Sequence, residues 1–161
     1  MTPAEALLGL ALLCLLAAAV ADVARFEIPD TLSIALIALA IGFGFTQPDF
    51  PWLLHGAALV LMFGLGALLF SLGWMGGGDV KVLTATAGWV GLSGLPMQLA
   101  GVAIAGGLLA LVLLLVRAGF RFADVPAERI PRLFQPGAPL PYAVAIAGGT
   151  IWWAFRNWPL A

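Results

Sequence analysis

The sequence has very little charge. Only 9% of its 161 residues are Asp, Glu, Lys or Arg, whereas a soluble domain usually carries about 25%. Hydrophobic residues make up 63% of the chain, and its long apolar runs predict membrane spans, because each crossing needs about 20 such residues. No segment outside these runs is long enough to fold by itself. We therefore expect the activity to lie within or at the edge of a bilayer.

Cysteine and clustered basic residues are also scarce. The single cysteine, Cys14, lies within an apolar run, which excludes a disulfide framework and a thiolate metal site. We expect Cys14 to be buried and inert. The net charge of −1 provides no basic face for nucleic acid. No metal, cofactor or nucleic-acid partner is therefore expected.

Six apolar segments follow one another along the chain, separated by short connections. They cover residues 3–21, 31–45, 52–72, 80–95, 97–116 and 141–158. The second and fourth are short, which is typical of helices that end early around a cleft open to water. The predicted fold is an all-α polytopic membrane protein with six transmembrane helices, forming one integral-membrane domain over residues 1–161.

Basic residues indicate the orientation of these helices. Arg25 lies between the first and second segments, Lys81 lies at the junction of the third and fourth, and four arginines lie between the fifth and sixth. The other two connections contain neither Lys nor Arg. Because short cytoplasmic connections carry the excess of Lys and Arg, these three connections are predicted to be cytoplasmic. Both termini then lie on the outer, periplasmic side.

Two aspartates lie where this topology places the cytoplasmic face. Asp22 follows the first segment, and Asp79 lies between the third and fourth. An ionisable residue at a membrane span is costly enough to indicate function. The alternative for each is a loop carboxylate or a helix cap, and the local sequence leaves both readings of Asp79 open. Asp30, after Pro29 and before an apolar run, fits the N-cap of the second helix.

Three glycines, Gly76, Gly77 and Gly78, come directly before Asp79. They leave room for close approach by another segment, as a carboxylate that meets a second carboxylate and an extended peptide would require. Two facing carboxylates can hydrolyse an amide, because one keeps its proton and polarises the carbonyl while the other takes a proton from the attacking water. Lys81 either supports ionisation of Asp79 or extends to lipid phosphate.

The same stretches resemble the signatures of the type IV prepilin peptidases. DVARFEIPD, from Asp22 to Asp30, is similar to the first signature, an aspartate followed seven residues later by Pro and then Asn or Asp. GGGDVK, from Gly76 to Lys81, is similar to the second, a GxGD motif with a lysine two residues beyond. LPYAVAIA, from Leu140, resembles the start of the family's final span.

This resemblance implies an activity. Asp22 and Asp79 would be the catalytic pair of an aspartic endopeptidase in the bacterial inner membrane, with its active site facing the cytoplasm. The implied substrate is a pilin or pseudopilin precursor, cleaved after a glycine, and lipids are the other partner. The short chain without CxxC motifs is most similar to protease-only members associated with Flp (tight-adherence) pili, so no N-methyltransferase domain is expected. The supporting motif positions are Pro29, Asp30, Gly76, Gly77, Gly78 and Lys81.

Substrate contacts outside the motifs are less directly indicated. Members of this type often carry several basic residues before the Ile-Pro, whereas this chain has only Arg25, close to the acidic Glu27. Glu27, Asp124 and Glu128 either attract the basic leader or are ordinary solvated charges. Residues 117–139 mix aromatic and aliphatic side chains with four arginines. We expect this loop to lie against anionic headgroups and also to cover the cleft.

Three other classes of protein remain alternatives. A presenilin or signal-peptide-peptidase relative also uses GxGD, but it pairs this motif with Tyr-Asp, and here Ala143 follows Tyr142. A small proton-coupled transporter could use the two aspartates as proton sites, although such sites favour the midplane and repeated halves. A structural membrane subunit would use the glycines for packing alone. No oligomeric state is predicted.

Overall fold

The computed structural model describes residues 2–157, and these fold into helices with no β-strand among them. The five α-helices are α1 (Pro3–Arg25), α2 (Asp30–Phe45), α3 (Trp52–Ser71), α4 (Gly77–Phe122) and α5 (Tyr142–Asn157). Two short 3-10 helices, Ala127–Arg129 and Arg132–Phe134, lie between α4 and α5. The all-α prediction is confirmed. The end of the sixth predicted segment, Trp158, lies outside the described residues.

The boundaries of α1 follow from local chemistry. Glu5 donates its backbone N–H to the Thr2 hydroxyl (3.2 Å), and Thr2 donates its own to the Glu5 carboxylate (2.8 Å), forming a capping box. Pro3 occupies the first turn, where a missing N–H costs nothing. The helix ends at Arg25, and the C-cap residue Phe26 adopts the left-handed conformation with φ of 56°. α1 therefore continues past Asp22, which lies inside its last turns rather than after it.

Helix α4 consists of two arms that fold back on each other. Gly91 breaks the helix with φ of 67° and ψ of 174°, a conformation that favours glycine. Gln98 donates to the Thr86 hydroxyl at 2.7 Å, although these residues would lie about 18 Å apart in a straight helix. Nδ1 of His55 donates to the Gly88 carbonyl at 2.9 Å. This bond satisfies a carbonyl whose helical partner is lost at the break.

The two arms of α4 correspond to the fourth and fifth predicted segments. Three helices, α1, α3 and α4, are long and apolar enough to cross a membrane, while α2 is a shorter apolar helix of 16 residues. A membrane protein is therefore indicated. The number of crossings and the side on which the termini lie stay predictions.

The arms of α4 form the centre of the helical packing. α3, α5 and α2 pack along α4, and α1 packs against α2 and α5. Small residues allow close contact: a Cβ on Gly101 would lie 2.8 Å from the Cα of Gly149 on α5. Because apolar side chains also face lipid, such backbone approach and a few polar contacts must hold the helices together.

One end of the bundle gathers the segments that carry the sequence motifs. The end of α1 meets the start of α5, where the Ala143 amide donates to Asp22. The start of α2 meets the start of α4, where Lys81 pairs with Asp30. The predicted convergence of these segments at one end is thus seen in the fold, and we call it the motif end.

Replacing Gln98 by Ala tests the polar contact between the arms. Gln98 is fully buried and donates to hydroxyls on the first arm and on α5. We expect the free energy of unfolding to fall by about 1–3 kcal/mol, because these buried hydrogen bonds are lost. Thermal unfolding in detergent measures the change. Gln47→Ala, in the turn after α2, is the control and should shift stability by less than about 0.5 kcal/mol; equal shifts for both would show that apolar packing holds the arms without this contact.

Candidate active site

A cleft of about 330 Å³ opens at the motif end of the bundle. Its walls come from α1, the connection to α2, and the glycine-rich start of α4. The residues that line it are Asp22, Phe26, Glu27, Ile28, Asp30, Gly76, Gly77, Gly78 and Asp79. The fold thus brings the two aspartates of the distant motifs into one cavity.

Asp22 is held by the start of α5. Its side chain is buried, with 6% exposure, and its Oδ2 accepts a hydrogen bond from the Ala143 amide at 3.0 Å. Free amides at a helix N-terminus favour a negative partner, because the helix dipole is positive there. The hydrogen bond fixes the orientation of the carboxyl group relative to α5.

Asp79 lies in the first turn of α4 and is also buried, with 8% exposure. Its carboxylate is close enough to Asp22 for their charges to interact, and it lies beside the Ala143 amide as well. Its Oδ1 is buried and has no hydrogen-bond partner among the described residues. One amide of α5 therefore faces both carboxylates, and one oxygen of Asp79 is left for another partner.

The glycines before Asp79 are not equivalent. A Cβ on Gly76 would lie 2.9 Å from Oδ2 of Asp79, and a Cβ on Gly78 would lie 3.2 Å from Cβ of Ile28. A Cβ on Gly77 would meet only the Phe70 ring at 3.5 Å, an ordinary contact. A side chain at the first or third glycine would therefore press on Asp79 or Ile28, whereas one at the middle glycine would not.

The connection after α1 is shaped by Phe26. Its left-handed backbone is rare for a bulky residue, and its N–H donates to the Asp22 carbonyl at 2.8 Å. The turn directs Phe26 and Ile28 toward the cleft that they line. The guanidinium of Arg132 lies 6.0 Å from the centre of the Phe26 ring, at the outer limit of a cation–π contact.

Residues 123–141 form a loop that is anchored at this end. Arg117 on α4 donates to the carbonyls of Leu133 (2.9 Å) and Ala138 (3.0 Å), and the rings of Phe120 and Phe134 lie 5.9 Å apart. The loop ends in the fully buried Pro141, directly before α5. It therefore sets the position of the Ala143 amide.

The expectation that Asp30 caps α2 is wrong. The helix begins at Asp30, with Pro29 at the N-cap position and no side-chain cap. The Asp30 carboxylate instead accepts a hydrogen bond from Lys81 at 2.6 Å. This exposed ion pair also accounts for Lys81, which was expected to support Asp79 or contact lipid. An opposite charge within reach outweighs a cap at this position, because it satisfies both side chains.

Of the four charged residues predicted to contact the substrate outside the motifs, only one lies at the cleft. Glu27 lines the cleft, whereas Arg25, Asp124 and Glu128 are exposed and lie outside its lining. The residue that sequence reasoning missed is Ala143, which acts through its backbone. In the sequence, the only signal near Ala143 is the resemblance of LPYAVAIA to the start of the final membrane span of the prepilin peptidases.

The fold and the cleft define a class: a helical membrane protein in which two buried carboxylates from distant helices share one cavity. In residues 2–157, no three His, Cys, Asp or Glu side chains cluster as a metal site would require. A family model described as the type IV leader peptidase family matches residues 9–125. The chain belongs to this family, which confirms the resemblance and identifies a peptidase. No curated protein and no solved structure matches the chain.

The glycine geometry predicts unequal effects of two similar substitutions. Gly76→Ala should lower the rate of leader-peptide cleavage by about tenfold or more, because a displaced Asp79 carboxylate misaligns the pair. The backbone of Gly76 (φ −72°, ψ 149°) suits alanine, so the effect is steric. Gly77→Ala, the control, should stay within about threefold of the parent protein, because Ala is accommodated there and favours the helix. Comparable losses in both variants would contradict this reading of the site.

Proposed function

We propose that the protein is an aspartic endopeptidase that removes the leader of type IV prepilins or pseudopilins of the Flp type. The observation that carries the proposal is the meeting of Asp22 and Asp79 in one cleft, beside a shared backbone amide. The family supplies the class of reaction, and the cleft supplies the groups for it. Residues 1–161 act in this proposal as one membrane peptidase domain.

Water is the nucleophile in the proposed reaction. The two carboxyl groups hold one proton between them, because neighbouring like charges do not readily coexist in an apolar surrounding. The ionised group takes a proton from water as the water oxygen attacks the scissile carbonyl carbon. The protonated group donates to the carbonyl oxygen, whose C=O bond opens to a tetrahedral intermediate.

Collapse of this intermediate completes the cleavage. The C=O bond re-forms as a hydroxyl of the intermediate returns its proton to the ionised carboxyl group, the C–N bond breaks, and the departing nitrogen takes a proton from the other carboxyl group of the pair. The products are the leader with a new carboxylate and the mature chain with a new amino terminus. The Ala143 amide contributes by holding Asp22 in place throughout, which preserves the alignment that the reaction requires.

The surroundings of the cleft fit a precursor with a basic leader and an apolar helix. Glu27 is exposed at the cleft wall and places a negative charge there. The glycines leave the backbone of α4 open to an extended peptide, and α2 to α4 present apolar surfaces beside it. We place the cleft at the cytoplasmic edge of the bacterial inner membrane, so that the helix of the precursor stays in lipid while the cleavage site reaches the aspartates.

Separate amide substitutions test the catalytic pair. In cells that also make a Flp-type prepilin, we expect Asp22→Asn and Asp79→Asn each to slow precursor cleavage by at least about 100-fold, because each removes a group that moves a proton. Asp22→Glu and Asp79→Glu should also be strongly impaired, because the added methylene displaces the carboxylate. The size of the precursor on a gel, with membrane insertion checked in parallel, provides the measurement.

Asp49→Asn is the matched control for these variants. Asp49 is exposed in the turn between α2 and α3, and its loss should leave cleavage unchanged. Full-speed maturation in both Asp22→Asn and Asp79→Asn would disprove the proposed function. A precursor of unchanged size in the presence of the parent protein would favour the transporter considered from the sequence.

A further inference from the structure

A groove runs along the bundle between α2 and α3, with the first arm of α4 as its floor. Both helices pack along α4 rather than along each other, and Trp89 on α4 donates to the Leu36 carbonyl of α2 at 2.8 Å. α2 and α3 meet where the chain turns between them, with the rings of Phe45 and Trp52 5.1 Å apart. The groove is therefore closed at that end.

Apolar and small residues line the closed part of the groove. The cavity there measures about 130 Å³. Six of its lining residues define the floor and the two walls: Ala85 and Gly88 on α4, Ile37 and Ile41 on α2, and Gly56 and Leu59 on α3. The nearby His55 already donates to Gly88. This part of the groove thus offers apolar contact and close backbone approach, as helix packing in a membrane requires.

The other end of the groove is the catalytic cleft. On α4, the spacing of Lys81, Ala85 and Gly88 places them on one helical face, and Lys81 pairs with Asp30. Asp30 begins α2 and lines the cleft, and Ile37 and Ile41 follow it on the same face of that helix. The helical faces that bound the cleft thus continue into the walls and floor of the groove.

We propose that this groove binds the apolar helix of the precursor while its scissile bond lies between Asp22 and Asp79. This inference rests on the proposed function and adds to it the place where the substrate helix docks. The occupant is inferred from the continuity of cleft and groove. When the cleavage site of the precursor lies in the cleft, the apolar helix that follows this site lies next to the groove. The apolar lining matches that helix, as the acidic Glu27 matches a basic leader.

The geometry also gives the register. Ala85 and Gly88 lie about 9 and 14 Å beyond Asp79 along α4, at about 1.5 Å per residue. A helix that lies parallel to the groove therefore places its residues roughly six to nine positions after the scissile bond at the level of Ala85 and Gly88, between the exposed walls at Ile41 and Gly56. Those substrate residues are the ones whose size the groove selects.

Two glycines on α3 provide a matched test. A Cβ on either Gly56 or Gly64 would have no neighbour within 4 Å, so a side chain can start from either backbone position without crowding at Cβ. Gly56 lines the groove, whereas Gly64 is exposed on another face of α3 and is absent from its lining. Gly56→Leu narrows the groove, and Gly64→Leu changes the same helix by the same substitution outside it.

The variants are compared on two substrates in detergent or proteoliposomes. One is the full-length membrane precursor, and the other is a soluble peptide that spans the cleavage site but lacks the apolar helix. We expect Gly56→Leu to lower kcat/KM for the precursor by about tenfold or more, because the helix no longer fits. Its kcat/KM for the peptide, and both values for Gly64→Leu, should remain within about twofold of the parent protein.

Each other result has a definite meaning. Unchanged cleavage of the precursor by Gly56→Leu would overturn the docking site, and so would equal losses on both substrates, which would indicate a disturbed fold. Cleavage of neither substrate by the parent protein would overturn the proposed function and this inference with it.

Cross-linking tests the docking without relying on cleavage. Cys14, the single native cysteine, is first replaced by Ser, and Asp79→Asn keeps the precursor intact. Gly56→Cys should then form a disulfide with a cysteine placed roughly six to nine residues after the scissile bond of the precursor. Gly64→Cys should not, and equal cross-linking at both positions would overturn the inference even where cleavage by the active enzyme is normal.

Discussion

The hydrogen bond from the Ala143 amide to the Asp22 carboxylate is the interaction on which the rest of the site depends. It joins the last turns of α1 to the first turn of α5, and α5 packs along α4, which carries Asp79. A buried acid needs such a partner, because an unpaired charge in an apolar surrounding is very costly. A backbone amide stabilises the acid without adding a basic side chain that would neutralise the pair.

The helices and the two aspartates could largely be predicted from the sequence, because apolar runs and isolated acids are visible in short stretches of chain. Apolar runs marked the ends of α1, α2 and α3 within a few residues, whereas the second arm of α4 continues to Phe122, beyond the predicted end at residue 116. Asp22 and Asp79 stood out because acids are rare in this chain and the order of the basic connections placed both at one face. Ala143 could not be found in this way, because every residue but proline has an amide. Asp30 was misread as a cap because its partner, Lys81, is distant in sequence.

The hairpin in α4 shows a second limit of sequence reasoning. A boundary was expected at Pro96, but the helix breaks at Gly91, and Pro96 lies inside the second arm. The reversal depends on contacts made across the fold: His55 satisfies the Gly88 carbonyl, and Gln98 bonds to Thr86. Hydropathy does not register such contacts, because it averages over neighbours in the chain rather than neighbours in space.

The buried Gln98 contact has a mechanical consequence for the whole bundle. Through Thr86 and Thr150, it ties both arms of α4 to α5 in the apolar interior, away from water that would compete for these bonds. At the motif end, α2 is joined to α4 by an exposed ion pair, a type of contact that contributes little stability. The polar contact that joins α2 to α4 beside the aspartates is thus weaker than those in the interior, so we expect the cleft to widen on the α2 side more readily than the frame that aligns the two acids changes shape.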